Sequence, residues 1–186
     1  MSAHPKIDSF RSDLVSICDG WLSPETCTQC CRRIDAAALP PTFRALLDHR
    51  EHMTTTLETF FGEPVKLRVL QCRRNENDYH RQILLTLRDS GTIVEFGIAR
   101  LDFAYIPTAA RDEILAQEAP LGDILIRHEV LRDIEPKWFF QVAGECPWRR
   151  HFDDRADRPV YGRLGVICCN GGPAIEMLEV VSPSRE

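Results

Sequence analysis

Several features that mark common functional classes are missing from this sequence. It has no run of about twenty apolar residues, the length that a bilayer-crossing helix needs. Its first residues lack the apolar stretch of a signal peptide. It also has no GxGxxG, P-loop or HExxH motif. We therefore expect a cytoplasmic protein with reduced thiols, no membrane partner and no cofactor.

An excess of positive charge is lacking too. The formal net charge is -5, which argues against a general nucleic-acid surface and predicts no nucleic-acid partner. Any anionic ligand would have to be attracted by a few placed arginines. A length of 186 residues, with 44% hydrophobic and 27% charged residues, is typical of one soluble globular domain. A monomer or weak dimer is expected.

The cysteines do not form a recognisable metal site. Cys27, Cys30 and Cys31 make a CxxCC motif, but no second CxxC or HxxxH pair completes a zinc-binding set. Together with Ile34 they lie at positions i, i+3, i+4 and i+7, which is the apolar stripe of a helix. We interpret them as core residues, because buried cysteine behaves as a small hydrophobe, and predict no metal. A metal or redox role is the alternative.

Hydrophobic periodicity predicts an α+β fold with a single, mostly antiparallel sheet of five to six strands. Short links between successive strands favour antiparallel pairing, and Asn170-Gly171-Gly172 is a hairpin turn signal. Residues 144–159 are polar and are expected to form a loop. Predicted helices cover residues 8–18, 23–39, 42–49, 108–117 and 121–127, and the predicted strands are PVKLRVLQC, YHRQILLTL, TIVEFGIARLDF, KWFFQV, VYGRLGVICC and PAIEMLEVV.

Two charged residues stand at apolar positions of these strands. Side chains alternate between the faces of a strand, so Arg81 shares a face with Ile83 and Leu85. In the last strand Glu179 falls in the series of Met177, although Glu176 also has apolar neighbours. A buried charge is costly unless it is paired or meets a ligand.

Two interpretations of these charges remain open at this point. In the first, Arg81 and Glu179 pair with each other or with other side chains at the edge of the core. In the second, they line a small cavity, where arginine would suit a carboxylate and glutamate a hydroxyl or a proton transfer. A helix that starts after Pro120 would add backbone N–H groups around Leu121 to Asp123, unless this is an ordinary loop-to-helix junction.

The order and spacing of several short motifs resemble the chorismate lyase (chorismate pyruvate-lyase) family. The motifs are MTTTLETFFGEPVKLRVL, HRQILL, VEFGIARLDFAYIP, APLGDIL, YGRLGVI and GGPAIEMLEVVSP, and they lie between about Leu46 and Pro183. The resemblance implies a chorismate lyase-like domain over residues 41–186, preceded by an N-terminal helical extension over residues 1–40. It also implies the fold that ligand-sensing domains of bacterial transcription regulators share.

The resemblance implies an activity and a site as well. The expected reaction releases pyruvate from chorismate and leaves 4-hydroxybenzoate, as in ubiquinone-type or specialised aromatic biosynthesis, by a cofactor-independent carbon-oxygen lyase. Arg81 would bind the ring carboxylate with help from Leu121 and Gly122. Glu179, four residues before Pro183, would meet the ring hydroxyl, so that Arg81 and Glu179 would be the catalytic pair.

Alternatives to the lyase come from other classes. The same pocket would serve a non-catalytic sensor or carrier domain for an aromatic acid, or a lyase of another aromatic or cyclohexadiene carboxylate. A scaffold with an Arg81–Glu179 salt bridge is a further alternative. His128 is an outside candidate for proton transfer, against a structural role. Arg163 is interpreted as structural rather than as a second anion partner.

Overall fold

The protein folds around one antiparallel sheet of seven strands in the order β1-β5-β6-β7-β4-β3-β2. The computed structural model describes residues 5–152 and 158–183. The α+β fold class predicted from periodicity is confirmed, with one strand more than expected. The strands are β1 (Cys31–Ile34), β2 (Val65–Asn75), β3 (Asp78–Leu87), β4 (Ile93–Asp102), β5 (Arg132–Val142), β6 (Val160–Cys169) and β7 (Gly172–Val181).

Helices cover both faces of this sheet. They are α1 (Pro5–Cys18), α2 (Pro24–Cys30), α3 (Pro41–Leu47), α4 (Met53–Phe61), α5 (Thr108–Ala116) and α6 (Leu121–Arg127), with 3₁₀ turns at Ala36–Ala38, Phe103–Tyr105 and Pro147–His151. One core joins α1, α2 and the Pro147–His151 turn to one face. Two further cores join α3 to α6 to the other face. No helix within residues 5–152 or 158–183 is long and apolar enough to span a membrane.

The predicted helix over residues 23–39 is wrong in its second half. Helix α2 ends at Cys30, and Cys31 begins β1, which pairs antiparallel with β5 in the register Cys31↔Val142. The spacing of the cysteines fits a helix, but the backbone groups of residues 31–34 find their partners in a strand more than 100 positions later. Cys27, Cys30 and Cys31 are buried in the core, as the sequence indicated.

The last two strands are joined as the turn signal predicted. Cys169 pairs with Gly172, so Asn170 and Gly171 form a two-residue loop, and their φ values are +52° and +84°. Positive φ at both positions is what the favoured hairpin turn requires. The turn sets the pairing of Cys168 with Pro173, and an irregularity between Ile167 and Cys168 then shifts the register by one residue. The shifted register places Arg163 opposite Glu179.

Candidate functional site

A small cavity lies between the sheet and the helices α4 and α6. The volume of the cavity is about 70 Å³. A few water molecules or a small ligand would fit in it. Its walls are mainly aliphatic and its polar groups are few, the usual composition of a small-molecule site. The lining residues are His52–Thr54, Leu67, Arg81, Ile83, Leu85, Glu95, Gly97–Ala99, Pro120–Gly122, Ile167 and Met177–Glu179.

Three neighbouring strands bring Arg81 and Glu179 to this cavity. Arg81 pairs with Ala99 on β4, and Glu179 on β7 pairs with Gly97 on the same strand. The two charged residues are therefore two strands and about two residues apart, roughly 12 Å between Cα atoms. The structure thus brings the predicted residues Arg81, Leu121, Gly122 and Glu179 to one cavity.

The floor of the cavity is open because β4 carries small residues there. Gly97 and Ala99 occupy two successive positions of the face that looks toward the helices. A Cβ built on Gly97 would lie 3.1 Å from Ile83 Cδ1 and 3.2 Å from Glu95 Oε1. A larger side chain at position 97 would therefore fill part of the cavity.

Arg81 is a buried cation with two unpaired nitrogen atoms. It is only 2% exposed, and neither Nε nor Nη1 has a hydrogen-bond acceptor within the described part of the chain. Burial lowers the pKa of its guanidinium from the ordinary value, and nearby Tyr79 opposes this shift in part. An arginine nevertheless stays charged in proteins, so this group retains unused capacity to bind an anion.

Glu179, in contrast, already has a cationic partner. Arg163 Nε donates to Glu179 Oε2 over 2.5 Å, and Arg163 is wholly buried. Arg163 Nη1 also donates to the carbonyl oxygens of Leu47 and His49, at 3.0 and 2.9 Å. These contacts agree with the structural role expected for Arg163. Glu179 forms its ion pair with Arg163, so the Arg81–Glu179 salt bridge of the scaffold alternative is not formed.

A second acidic residue, Glu95, lines the cavity beside Glu179. It is 3% exposed, and its Oε2 has no hydrogen-bond partner among the described residues. Burial raises the pKa of Glu95 well above its ordinary value, and the neighbouring charge of Glu179 raises it further, while Arg163 lowers it. Burial therefore favours the neutral form of the Glu95 carboxyl group.

His52 forms part of the wall near the start of α4. Arg132 Nε donates to His52 Nε2 over 2.6 Å, which places the proton of the neutral ring on Nδ1. Burial, and then the charges of Arg132 and Arg163, lower the pKa of His52 to about 4. A Cβ on Gly122 would lie 2.9 Å from His52 Cβ, so the glycine allows α6 to approach this ring.

Leu121 and Gly122 are the first two residues of α6 and line the cavity. The N–H groups of the first turn of a helix have no intrahelical acceptor. Their part in carboxylate binding stays a prediction. His128 lies outside the lining set and its Nε2 is 2.7 Å from Glu113 Oε2, as expected for a structural histidine.

Residues 144–152 pack on the opposite face of the sheet. The rings of Trp148 and His151 both stack on Phe96, with centroids 5.5 and 5.2 Å apart from it. Phe96 points away from the face of Glu95 and Gly97, because neighbouring side chains of a strand alternate. This part of the expected loop thus does not cover the cavity, while residues 153–157 lie outside the described residues.

Sequence reasoning missed Glu95, His52 and the ion pair of Arg163. The signal for Glu95 was present, because it interrupts the apolar strand IVEFGIA just as Arg81 interrupts its own strand. The role of His52 had no comparable signal, since it depends on the approach of Arg132 from β5.

Comparison with known proteins matches the fold and not a sequence family. No protein-family model matches the chain, and no curated protein does so. PhnF from Mycobacterium smegmatis matches with a TM-score of 0.56 and 12% identity over 93% of this chain and 94% of that one. The effector domain of PhnF matches with a TM-score of 0.53 and 12% identity over 73% and 90%.

A third structure is the ligand-binding domain of a putative GntR-family transcriptional regulator from Bordetella bronchiseptica. It matches with a TM-score of 0.47 and 13% identity over 65% of this chain and 87% of that one. These likenesses agree with an α+β, chorismate lyase-like fold. The match to the effector domain of PhnF overturns the expectation of a carbon-oxygen lyase.

Proposed function

We propose that this chain is a non-catalytic domain that binds a small aromatic or cyclohexadiene carboxylate in the cavity between the sheet and α4 and α6. The observation that carries the proposal is Arg81, a buried guanidinium that faces the cavity with Nε and Nη1 unpaired. A buried charge of this kind destabilises the fold unless something neutralises it. A ligand carboxylate would supply both the opposite charge and the planar pair of acceptors that the guanidinium fits.

The rest of the cavity supports a ligand with an apolar body. Ile83, Leu85 and Met177 line it between its polar ends. The backbone N–H groups of Leu121 and Gly122 would assist Arg81 with the carboxylate. Glu179, whose Oε2 is engaged by Arg163 Nε, would lie near the end of the ligand that is opposite the carboxylate.

Binding without turnover agrees with the contacts of Glu179. The carboxylate that would have to act on a substrate is held by the guanidinium of Arg163 over 2.5 Å. Its Oε2 is therefore occupied by a protein group. The effector and ligand-binding domains among the matching structures support a sensor in the same way.

Isothermal titration calorimetry with benzoate and 4-hydroxybenzoate tests this function. We expect the chain to bind at least one of them, and Arg81→Gln to weaken binding by about 100-fold, because a charge-assisted bidentate contact is lost. The matched control is Arg88→Gln, at an exposed arginine just after the same strand, which should bind like the unmodified chain. Binding that is equally strong in both variants would rule out the Arg81 site. The cytoplasmic location, the division at residue 40 and the absence of a nucleic-acid partner stay predictions.

A further inference from the structure

Glu95 is a buried polar group that the proposed carboxylate contact does not use. It lies on the interior strand β4, four residues from Ala99, which is the partner of Arg81. This offset along β4 and across to β3 corresponds to roughly 14 Å between the Cα atoms of Glu95 and Arg81. The Cα of Glu95 therefore stands at the far end of the cavity from Arg81, and its carboxyl Oε1 reaches back to 3.2 Å from the Cβ position of Gly97.

The charges around Glu95 do not balance two ionised carboxylates. Glu95 pairs with Val181, so Glu179 is its diagonal neighbour on β7, at roughly 7 to 8 Å. One cation, Arg163 on β6, faces both, and its Nε is committed to Glu179 Oε2. Glu95 has no ion pair within the described residues, whereas Glu179 has one. Two buried carboxyl groups beside one cation disfavour ionisation of both, and Glu95 is the one whose charge would have no ion pair.

We propose that Glu95 is an uncharged, second ligand-binding residue of this cavity. It would restrict the site to monocarboxylates whose far end carries a neutral polar group such as a hydroxyl, and it would exclude dicarboxylates. This inference rests on the proposed function, because Arg81 must hold the first carboxylate. It adds that Glu95 binds a neutral polar group at the end of the ligand opposite the carboxylate.

The geometry gives the reason for this selectivity. Glu95 Oε2 is buried without a partner, so a ligand hydroxyl would satisfy a group that otherwise remains unbonded at a cost. A second carboxylate at that end would lie beside Glu95 and Glu179. The cation of that end, Arg163, is not among the residues that line the cavity and is held by Glu179. Such a ligand would bury a charge without a counterion.

Calorimetric titration of the full chain with three probes tests the proposal. The probes are benzoate, 4-hydroxybenzoate and terephthalate, which differ only at the ring position opposite the carboxylate. We expect the unmodified chain to bind 4-hydroxybenzoate about tenfold more tightly than benzoate, as one buried hydrogen bond would give. Terephthalate should bind about 100-fold more weakly than 4-hydroxybenzoate.

Two substitutions separate the neutral hydrogen bond from a charge. Glu95→Gln keeps an uncharged polar group of the same shape and should leave each dissociation constant within about threefold. Glu95→Leu removes the polar group and should abolish the preference for the hydroxyl without weakening benzoate binding. If Glu95→Gln instead improves the binding of all three anions by tenfold or more, Glu95 is ionised and the proposal is wrong.

Other outcomes distinguish this inference from the proposed function. Binding that requires Arg81 but keeps its hydroxyl preference in Glu95→Leu overturns the inference alone. Failure of all three probes to bind overturns both. Infrared spectroscopy gives a readout that needs no ligand: the carbonyl stretch of a protonated carboxylic acid should be present in the unmodified chain and lost in Glu95→Gln. Its absence from the unmodified chain at neutral pH would also overturn the inference.

Discussion

Arg163 and Glu179 form a buried ion pair across β6 and β7, with Arg163 Nε 2.5 Å from Glu179 Oε2. Glu179 is thus engaged by Arg163 and forms no ion pair with Arg81, whose Nε and Nη1 are unpaired in the described part of the chain. It also attaches the end of α3 to the sheet through the bonds of Arg163 to the carbonyl oxygens of Leu47 and His49.

Breaking this pair on one side should destabilise the protein strongly. Arg163→Met leaves the Glu179 carboxylate buried without its cation, and we expect the free energy of unfolding to fall by about 3–5 kcal/mol. Urea denaturation followed by circular dichroism measures the loss. The double variant Arg163→Met, Glu179→Leu should recover much of it, since no charge is then left unpaired. Equal stability of Arg163→Met and the unmodified chain would contradict a structural ion pair.

The buried His52 should make stability depend on pH. Its pKa is about 4 in the folded protein against an ordinary value of 6.5, so protons bind preferentially to the unfolded chain. The contribution of His52 is complete above pH 6.5 and is lost as the pH falls from 6.5 toward 4. Between about pH 7 and pH 5 we expect it to cost about 2 kcal/mol of unfolding free energy.

His52→Gln isolates that contribution, because glutamine does not titrate. Denaturation curves near pH 7 and near pH 5 give, for each protein, the change in unfolding free energy between the two pH values. The unmodified chain should lose about 2 kcal/mol more than the variant on acidification. Parallel pH profiles would mean that the imidazole has the same pKa in the folded and unfolded chain.

A methyl group at Gly122 should disturb both the fold and the site. The added Cβ would lie 2.9 Å from Cβ and Cγ of His52, which is too close for either atom to remain in place. We expect Gly122→Ala to lower the free energy of unfolding by about 1–3 kcal/mol, as overpacking does, and to weaken carboxylate binding. Gly144→Ala is the matched control, since nothing lies within 4 Å of its Cβ position. Thermal denaturation that ranks the two variants equally would argue against close packing of α6 on His52.

The Pro147–His151 turn should matter for stability and not for ligand binding. Trp148 is 3% exposed and stacks on Phe96 on the face of the sheet opposite the cavity. Trp148→Ala should therefore cost about 3–5 kcal/mol of unfolding free energy. At a temperature where the variant is fully folded, calorimetry should give an unchanged dissociation constant for the carboxylate. A large loss of affinity would indicate that this segment reaches the cavity after all.

Strand alternation was sufficient to find Arg81, because it depends only on a period of two residues. In the last strand it left Glu176 and Glu179 open, and the family resemblance favoured Glu179. Alternation could not find the partner of Glu179, because the burial of Arg163 comes from the packing of α3 over β6. The same limit explains β1: local spacing in residues 27–34 fits a helix, and only the distant strand β5 makes residues 31–34 extended.

Helix α4 was also not predicted. It begins with Met53, which is followed by three threonines. Threonine disfavours a helix because its branched side chain loses rotational freedom there. Leu57 and Phe61, buried one turn apart in the core, stabilise it against that preference. The apolar spacing of Met53, Leu57 and Phe61 at i, i+4 and i+8 is a helical stripe that could have indicated this element.

The small residues Gly97 and Ala99 have a consequence for how such a site could be altered. Several strands line the cavity from the sheet side, and Gly97 and Ala99 of β4 are its small residues there. Enlarging either side chain would reduce the space for a ligand without removing a charged or hydrogen-bonding side chain. These two positions are therefore a suitable starting point for engineering binders of other small acids.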